Sequence, residues 1–483
     1  MIKLYPHQEK FITELRHAMK RDKCVLAQAA TGFGKTQVGA FMIKGALERE
    51  KRTFFVVHRK ELIEQTSKTL DKLGIEHSII QSGKAYNPFD HVFIASIDTL
   101  KKRLDKIEPP DFMIFDECHH TGSLGWAKTH AWAKAAGAYI IGLTATPWRL
   151  DKKGLDMYFD TMIQGPSMEW LIENKYLSGY KAYALSVPDM SGVAIKQGDY
   201  EVSALESMMR DSVIYGCAID NWKRLAAGKK TIAFAPTIAT SIELVEKFKE
   251  AGIRAAHLDG ETKSSLRKST IMDFADGRLD IISNVGLFGE GFDLSAIAER
   301  DVPIEAVILY RPTQSLSLHL QMIGRAMRPK SSPAIILDHA GNCIRHGLPD
   351  MDFAWTLQGR KKKKKDEETQ IRVKQCPTCF HCFKPAPVCP NCGHVFVVES
   401  VKGEAMDGDL VELTKDELDK LKKQKRKELI AAKTYEELVL LGTERKYKYP
   451  RQWAGHILKQ REDWKKSKKQ FNKQFRKEQE RGY

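Results

Sequence analysis

Apolar residues along this chain gather into short unbroken runs separated by longer stretches of helical period. Cys24 to Ala27, Thr53 to Val57, Val92 to Ala95, Phe112 to Phe115 and Tyr139 to Leu143 each read as a strand buried on both faces. Phe11, Ile12, Leu15 and Met19 recur at the spacing of an amphipathic helix, and further helices are expected from the segments after Lys35 and after His58. Strand, loop, helix, strand, loop, helix predicts a parallel sheet with helices on its faces. Ligands of such sheets sit at the carboxyl ends of the strands.

The loop after the first run carries the strongest chemistry. Gln28-Ala29-Ala30-Thr31-Gly32-Phe33-Gly34-Lys35-Thr36 lies between a strand and a helix. Its small residues, with Thr31, Gly32 and Gly34 at the turn, let backbone N–H groups close around β- and γ-phosphates. Lys35 adds a point charge, and Thr36 offers its hydroxyl to Mg²⁺. Ala29 stands where GxxxxGK[ST] has its first glycine. The run Phe112 to Phe115 delivers Asp116 and Glu117, aiming Asp116 at Mg²⁺ and Glu117 at the water that attacks the γ-phosphate. Cys118, His119 and His120 follow without a partner at metal-ligand spacing. Tyr5 and Gln8 lie where a ring and an amide can stack on and bond an adenine, or where an N-terminal turn packs on its helix. Thr144-Ala145-Thr146-Pro147, after another run, offers hydroxyls to the neighbouring carboxylate.

These residues resemble the superfamily 2 DEAD/DEAH-like helicases. Gln8 matches the adenine-sensing position, AATGFGKT motif I, VVHRKEL motif Ia, DECHH motif II and TATP motif III. The resemblance continues through Thr231 to Thr237 (motif IV), Ile281 to Asp293 (motif V) and Gln321 to Pro329 (motif VI). It implies an α/β fold of two tandem RecA-like parallel-sheet lobes with ATP in the cleft between them. Arg325 and Arg328 would reach the γ-phosphate from the second lobe, where guanidinium forks stabilise developing charge. Gln321, Gly291 and Asp293 would complete that wall, although Gly291 also suits a tight turn. Nucleic acid would cross both lobes through phosphate contacts from His58, Arg59, Ser96, Thr99 and Thr237, each of which is otherwise a helix cap or surface residue.

The expected organisation is a first, ATP-binding lobe over 1–165, an interlobe connection over 166–215 and a second lobe over 216–345. A charged linker over 346–375, a zinc module over 376–398 and a basic, mainly helical region over 399–483 follow. Cys376-Pro-Thr-Cys379 and Cys389-Pro-Asn-Cys392 form two knuckles whose thiolates suit a closed tetrahedral Zn²⁺ site; Cys382, His381 and His394 remain competing ligands. Five of the nine cysteines fall between Cys376 and Cys392, which favours a metal over a secreted disulfide framework.

Charge changes the picture at the C-terminus. The net charge is +16, and residues 411–483 alone hold 22 Lys and Arg against 12 Asp and Glu, which suggests a polyanionic partner or a solvated tail. Trp453, Ile457 and Trp464 mark an apolar face beside these lysines. No run approaches about 18 uninterrupted apolar residues and the start lacks a signal-peptide core, so no membrane partner and a cytoplasmic location, bacterial or phage-host, are expected.

A DECH motor with a cysteine module and a basic tail resembles RadD-like repair helicases and phage branch-migration helicases. That resemblance implies an ATP hydrolase coupled to unwinding or branch migration of forked or branched DNA, using ATP, Mg²⁺ and Zn²⁺. Single-strand-binding or recombination proteins are possible partners. The alternatives are a motor subunit of a restriction or defence complex, an RNA helicase, and a non-hydrolysing zinc-dependent nucleic-acid-binding protein.

Overall fold

Seven short strands build the first sheet: β1 (Cys24–Gln28), β2 (Thr53–Val57), β3 (Ser78–Ile80), β4 (Val92–Ser96), β5 (Phe112–Asp116), β6 (Tyr139–Thr144) and β7 (Thr161–Gln164). All pair in parallel, in the order β3-β4-β2-β5-β6-β1-β7. The computed structural model describes residues 3–149, 153–184, 195–196, 199–201, 212–289, 294–359 and 373–396, and then 428–429, 431–445, 450–451, 454–455 and 457–458. Helices α1 (Pro6–Met19), α2 (Lys35–Leu47), α3 (Lys60–Asp71), α4 (Ile97–Leu100) and α5 (Leu124–Ala135) cover the sheet. Every residue of β1, β2 and β5 is buried, as strands clothed on both faces require.

A short helix, α6 (Met168–Glu173), leads to the second sheet, made of β8 (Tyr180–Ala184), β11 (Thr231–Phe234), β12 (Ala255–Leu258), β13 (Ile281–Asn284), β14 (Ala306–Leu309), β15 (Ala334–Asp338), β16 (Lys374–Gln375) and β17 (His381–Phe383). Its order is β12-β13-β11-β14-β15-β8-β17-β16, parallel from β12 to β8 and antiparallel beyond. A two-stranded hairpin, β9 (Ile195–Lys196) and β10 (Asp199–Tyr200), lies apart from it. Helices α7 (Ser212–Leu225), α8 (Ile238–Glu250), α9 (Ser264–Ala275), α10 (Leu294–Ala298), α11 (Leu316–Gly324) and α12 (Asn342–His346) complete this lobe. The expected two-lobe, parallel-sheet architecture is present.

Three features go beyond the sequence pattern. Strand β8, from the expected connection, belongs to the second sheet. The cysteine module is sewn to that strand, with His381 opposite Tyr183 and Cys382 opposite Ala182. The segment after α12 returns to the first lobe: Leu357 is buried there, Leu155 N–H donates to its carbonyl (2.8 Å), and Trp148 Nε1 donates to Thr356 O (3.0 Å). Residues 360–372 of the expected charged linker lie outside the described residues.

The chain forms two compact units, Met1–Val397 and Val398–Tyr483. The second holds helix α13 (Tyr435–Glu444), opened by a reciprocal cap between Thr434 and Glu437, with Ala432, Leu438 and Ala454 at its core. Trp453, Trp464 and the lysines from 459 onward lie outside the described residues. Among the described residues, no helix is long and apolar enough to cross a membrane.

Candidate active site between two lobes

The site begins at the carboxyl edge of the first sheet. Ala29 N–H donates to Thr144 O (3.0 Å) and Gln28 Nε2 to Ala145 O (3.0 Å), so the loop after β1 is held by the turn after β6. Gly34 ends this loop with φ +91°, a conformation that L side chains adopt only under strain, and α2 starts at Lys35. Lys35 Nζ turns back over the loop, donating to the carbonyls of Ala29 (3.3 Å) and Ala30 (3.5 Å). The first turn of α2 therefore presents its backbone N–H groups where an anion is favoured.

Gln8 is buried against this loop. Its Oε1 accepts from Tyr5 N–H (2.9 Å) and its Nε2 donates to Phe33 O (2.7 Å), so its amide is locked in one orientation. Tyr5, more than half exposed, packs edge-on against Tyr176 with ring centroids 5.1 Å apart. Tyr176 in turn lies 4.1 Å from the His7 ring and stacks on Trp170.

Strand β5 delivers Asp116 and Glu117, both buried. Glu117 takes a left-handed backbone (φ 50°, ψ 49°) that turns the chain into the 3-10 segment Cys118–Gly122. Such a conformation costs about 1–2 kcal/mol in a non-glycine residue and persists where the surroundings enforce it. Burial first, and the adjoining Glu117 carboxylate second, hold Asp116 above the ordinary carboxylate range, while Lys35 and His58 pull it back. His119 Nδ1 lies 3.3 Å from the Glu117 carboxylate and 3.2 Å from Thr144 Oγ1. The TATP turn thus meets the carboxylates through an imidazole, where the sequence suggested a direct hydroxyl contact.

The second lobe closes the site. Gln321, Arg325, Arg328 and Gly324 face Tyr5, Gln8, Thr31, Gly32, Gly34, Lys35, Thr36, Asp116, Glu117 and Tyr176 across a cleft of about 970 Å³. Both amide atoms of Gln321 and the hydroxyl of Thr31 are buried without a partner among the described residues, as befits a site built for a polar ligand. Arg325 also donates to Gly289 O (2.9 Å), next to the motif V turn. Gly291 and Asp293 lie outside the described residues.

The lobes approach closely in this cleft at Gly324. A Cβ on Gly324 would stand 2.3 Å from Thr31 Cγ2 and 2.8 Å from its Cβ, so any side chain there forces Thr31 or the helix that carries Gln321 to shift. Gly324→Ala is therefore expected to separate the lobes here and lower ATP turnover about ten-fold, since small misplacements of aligned groups are costly. Steady-state ATPase measurement checks this; unchanged turnover would show that the contact yields freely.

The residues expected to contact nucleic acid are not in the cleft. His58, after β2, lies with its ring 5.0 Å from that of His120, and Arg59 Nη1 donates across the lobes to Gly286 O (2.7 Å). Ser96 precedes α4 half-buried, Thr99 is buried within it, and Thr237 caps α8 by accepting from Thr240 N–H (3.1 Å). Tyr176 and Gly324 line the cleft, and His119 stands behind it against Glu117, without having been singled out for the site from the sequence. For His119 the adjacent carboxylates were the available signal; for Tyr176, more than 160 residues from Tyr5 in the chain, there was none.

Four thiols converge in the cysteine module. The Sγ atoms of Cys376, Cys379, Cys389 and Cys392 lie within 4.8 Å of one another, with Cys376 3.5 Å from Cys392 and Cys379 3.7 Å from Cys389. Tetrahedral thiolates about 2.3 Å from a zinc ion stand roughly 3.8 Å apart, so the donor set fits. Cys382 is buried in the lobe core, its thiol pushed up to about 12 by burial, and His394 Nδ1 bonds Thr378 Oγ1 (3.0 Å).

Comparison with known proteins agrees with this arrangement. Residues 1–149 match the family described as "Type III restriction enzyme, res subunit" and residues 217–330 the "Helicase conserved C-terminal domain". A 51.5 kDa protein of a Lactococcus phage (isolate 7-9) is 34% identical over 378 residues, 77% of this chain and 78% of that protein. IRC3 of Saccharomyces cerevisiae, assigned by name to the ATP-dependent helicases, is 29% identical over 66% of this chain; the chain spans 48% of its length. The ATP-dependent Type ISP restriction-modification enzyme LlaBIII bound to DNA superposes with a TM-score of 0.53 at 17% identity. It covers 74% of this chain and 28% of its own, and shows the fold. Two parallel-sheet lobes, the cleft between them and these matches together make the chain a member of the superfamily 2 DEAD/DEAH-like helicases, ATP-dependent motors that act on nucleic acid.

Proposed function

We propose that the chain is an ATP-dependent DNA translocase or helicase acting on forked or branched DNA. The observation that carries the ATPase half is the facing of Lys35, Thr36, Asp116 and Glu117 by Gln321, Arg325 and Arg328 across one cleft. In this reading the loop N–H groups and Lys35 hold the β- and γ-phosphates. Thr36 and Asp116 would hold Mg²⁺, which when bound offsets phosphate charge. Glu117 takes the proton of the attacking water, and Arg325 and Arg328 stabilise the charge that develops on the transferred phosphoryl group. Gln321 completes the second wall. Because two lobes supply the parts, closure and hydrolysis are coupled.

Adenine is the base this site suits. With Gln8 Oε1 fixed towards Tyr5 N–H and Nε2 towards Phe33 O, the amide has one N–H and one lone pair left. They match the N7 acceptor and N6 donor of adenine, whereas guanine presents two acceptors. Gln8→Ala is expected to raise KM for ATP about ten-fold and narrow the preference for ATP over GTP. Competition assays with the two nucleotides test it, and an unchanged preference would remove Gln8 from base recognition.

DNA as the track is supported by the likeness to restriction-enzyme motors, and branched DNA by the accessory layout of a four-cysteine module followed by a basic region. The four thiolates would hold Zn²⁺ in a closed structural site. The deciding experiment compares ATPase stimulation by single-stranded DNA, duplex DNA, four-way junctions and RNA at one salt concentration, since phosphate-dominated affinities change with salt. Strongest stimulation by junctions is expected, and stimulation by RNA alone would overturn the proposal. A second reading, a motor for a restriction complex, is favoured by the match of residues 1–149. Duplex translocation without junction unwinding would select it.

A further inference from the structure

The hairpin of β9 and β10 grips the loop that launches α11, the helix leading to Arg325 and Arg328. One Asp199 carboxylate oxygen accepts from Gln314 N–H (2.6 Å), and the other accepts from Thr313 Oγ1 (2.9 Å) and lies 3.6 Å from the Arg311 guanidinium. Tyr200 is buried; its hydroxyl accepts from Gln314 Nε2 (2.6 Å) and its ring lies under the Arg345 guanidinium, 5.4 Å from the centroid.

The grip is passed on to the helix. Thr313 Oγ1, donating to Asp199, accepts from Ser315 N–H (2.9 Å), and Ser315 Oγ caps α11 by accepting from Leu318 N–H (3.1 Å). From the other side, Asn342 Oδ1 accepts from Thr313 N–H (3.1 Å) and His346 Nε2 lies 2.8 Å from Thr313 O. Ser315 to Arg325 is ten residues, about 15 Å of continuous helix, so a shift at the cap reappears at the arginine. Charge-assisted bonds such as those to Asp199 are the stronger kind, and a surface hairpin stapled merely for stability needs none of this directionality.

We propose that Asp199 and Tyr200 are positioning residues: through the Thr313–Ser315 relay they set the register in which α11 presents Arg325 and Arg328 to the nucleotide. The proposal rests on the reading of those arginines given above. Asp199 follows β8 in the chain, so the hairpin that holds α11 belongs to the second lobe that carries the helix.

The test uses the full chain and measures kcat, KM for ATP, nucleotide affinity with a fluorescent ATP analogue, and melting temperature. Asp199→Ala and Thr313→Val are each expected to lower kcat about ten-fold with KM and affinity nearly constant, because the loss is of alignment in the transition state. Tyr200→Phe should lose less, and Thr313→Ser, which keeps the hydroxyl, should restore kcat. Asp199→Ala should cost clearly less in an Arg325→Ala background than in the wild type, since part of its effect runs through that arginine and the rest through Arg328. Wild-type kcat in Asp199→Ala, while Arg325→Ala loses turnover, would overturn the clamp. So would a loss that follows melting temperature and adds fully to Arg325→Ala. Full turnover in Arg325→Ala would instead overturn the reading of the arginine itself.

Discussion

Glu117→Gln is expected to lower ATP turnover by about 10²- to 10⁴-fold, the range supplied by a positioned general base. The amide keeps the volume of the side chain and its place at the end of β5, so the left-handed turn at Glu117 and the packing around it stay intact. It cannot accept the water's proton. Removing the carboxylate's charge also relieves Asp116, whose protonation Glu117 favours, so the neighbour is more fully ionised in the variant. Binding of Mg²⁺ and ATP is therefore expected to be retained or tightened while hydrolysis fails. Titration with a fluorescent ATP analogue beside steady-state ATPase separates the two. Robust hydrolysis by the purified variant would sink the assignment of Glu117, and loss of nucleotide binding would show the residue to be structural.

The second large effect is expected at the cysteine module. If the module were a tethered accessory, removing it would leave the motor untouched. Strand β17 instead pairs with β8, and Cys382 lies in the core of the second lobe. Deletion of 371–483 uncovers the β8 edge and opens a cavity, whereas deletion of 398–483 follows the division between the compact units. Cys389→Ser and the longer deletion should each lower the melting temperature by roughly 5 °C or more, because the thiolate site supplies folding energy to a segment with little core of its own. The shorter deletion should keep the melting temperature and basal ATPase while losing DNA affinity and some of its salt dependence, as the basic region goes. Equal melting of the full chain and the 371–483 deletion would show that the module adds nothing to the lobe. Deletions meant to leave the two-lobe unit whole belong after residue 397.

What can be read from the chain alone is local. Apolar runs of four or five residues become strands buried almost throughout, because a strand clothed on both faces has few polar positions to spare. The glycine-containing loop before Lys35 and the Asp116–Glu117 pair are legible for the same reason, since each is a set of adjacent residues at a strand's carboxyl end. The motif order supplies Arg325, Arg328 and Gln321 as the other wall. Nothing local marks Tyr176 beside Tyr5 or Thr31 against Gly324, because each pair joins residues more than 160 positions apart. Asp199 at Thr313, Arg59 at Gly286, and β17 on β8 are likewise joined across more than 100 positions.

Tertiary structure also redistributes roles within the motifs. His119, which by its neighbours suggests at most a weak metal ligand, comes to rest between Glu117 and Thr144, and Thr237 becomes a helix cap. The chain by itself determined which chemistry is available, a lysine and paired carboxylates, a glutamine with two arginines, and four thiols, because those groups are set by residue type and short spacing. Only the tertiary structure decided how the walls meet, at Gly324 on Thr31, and what holds them there, because such contacts depend on close packing between surfaces that no short window of sequence contains.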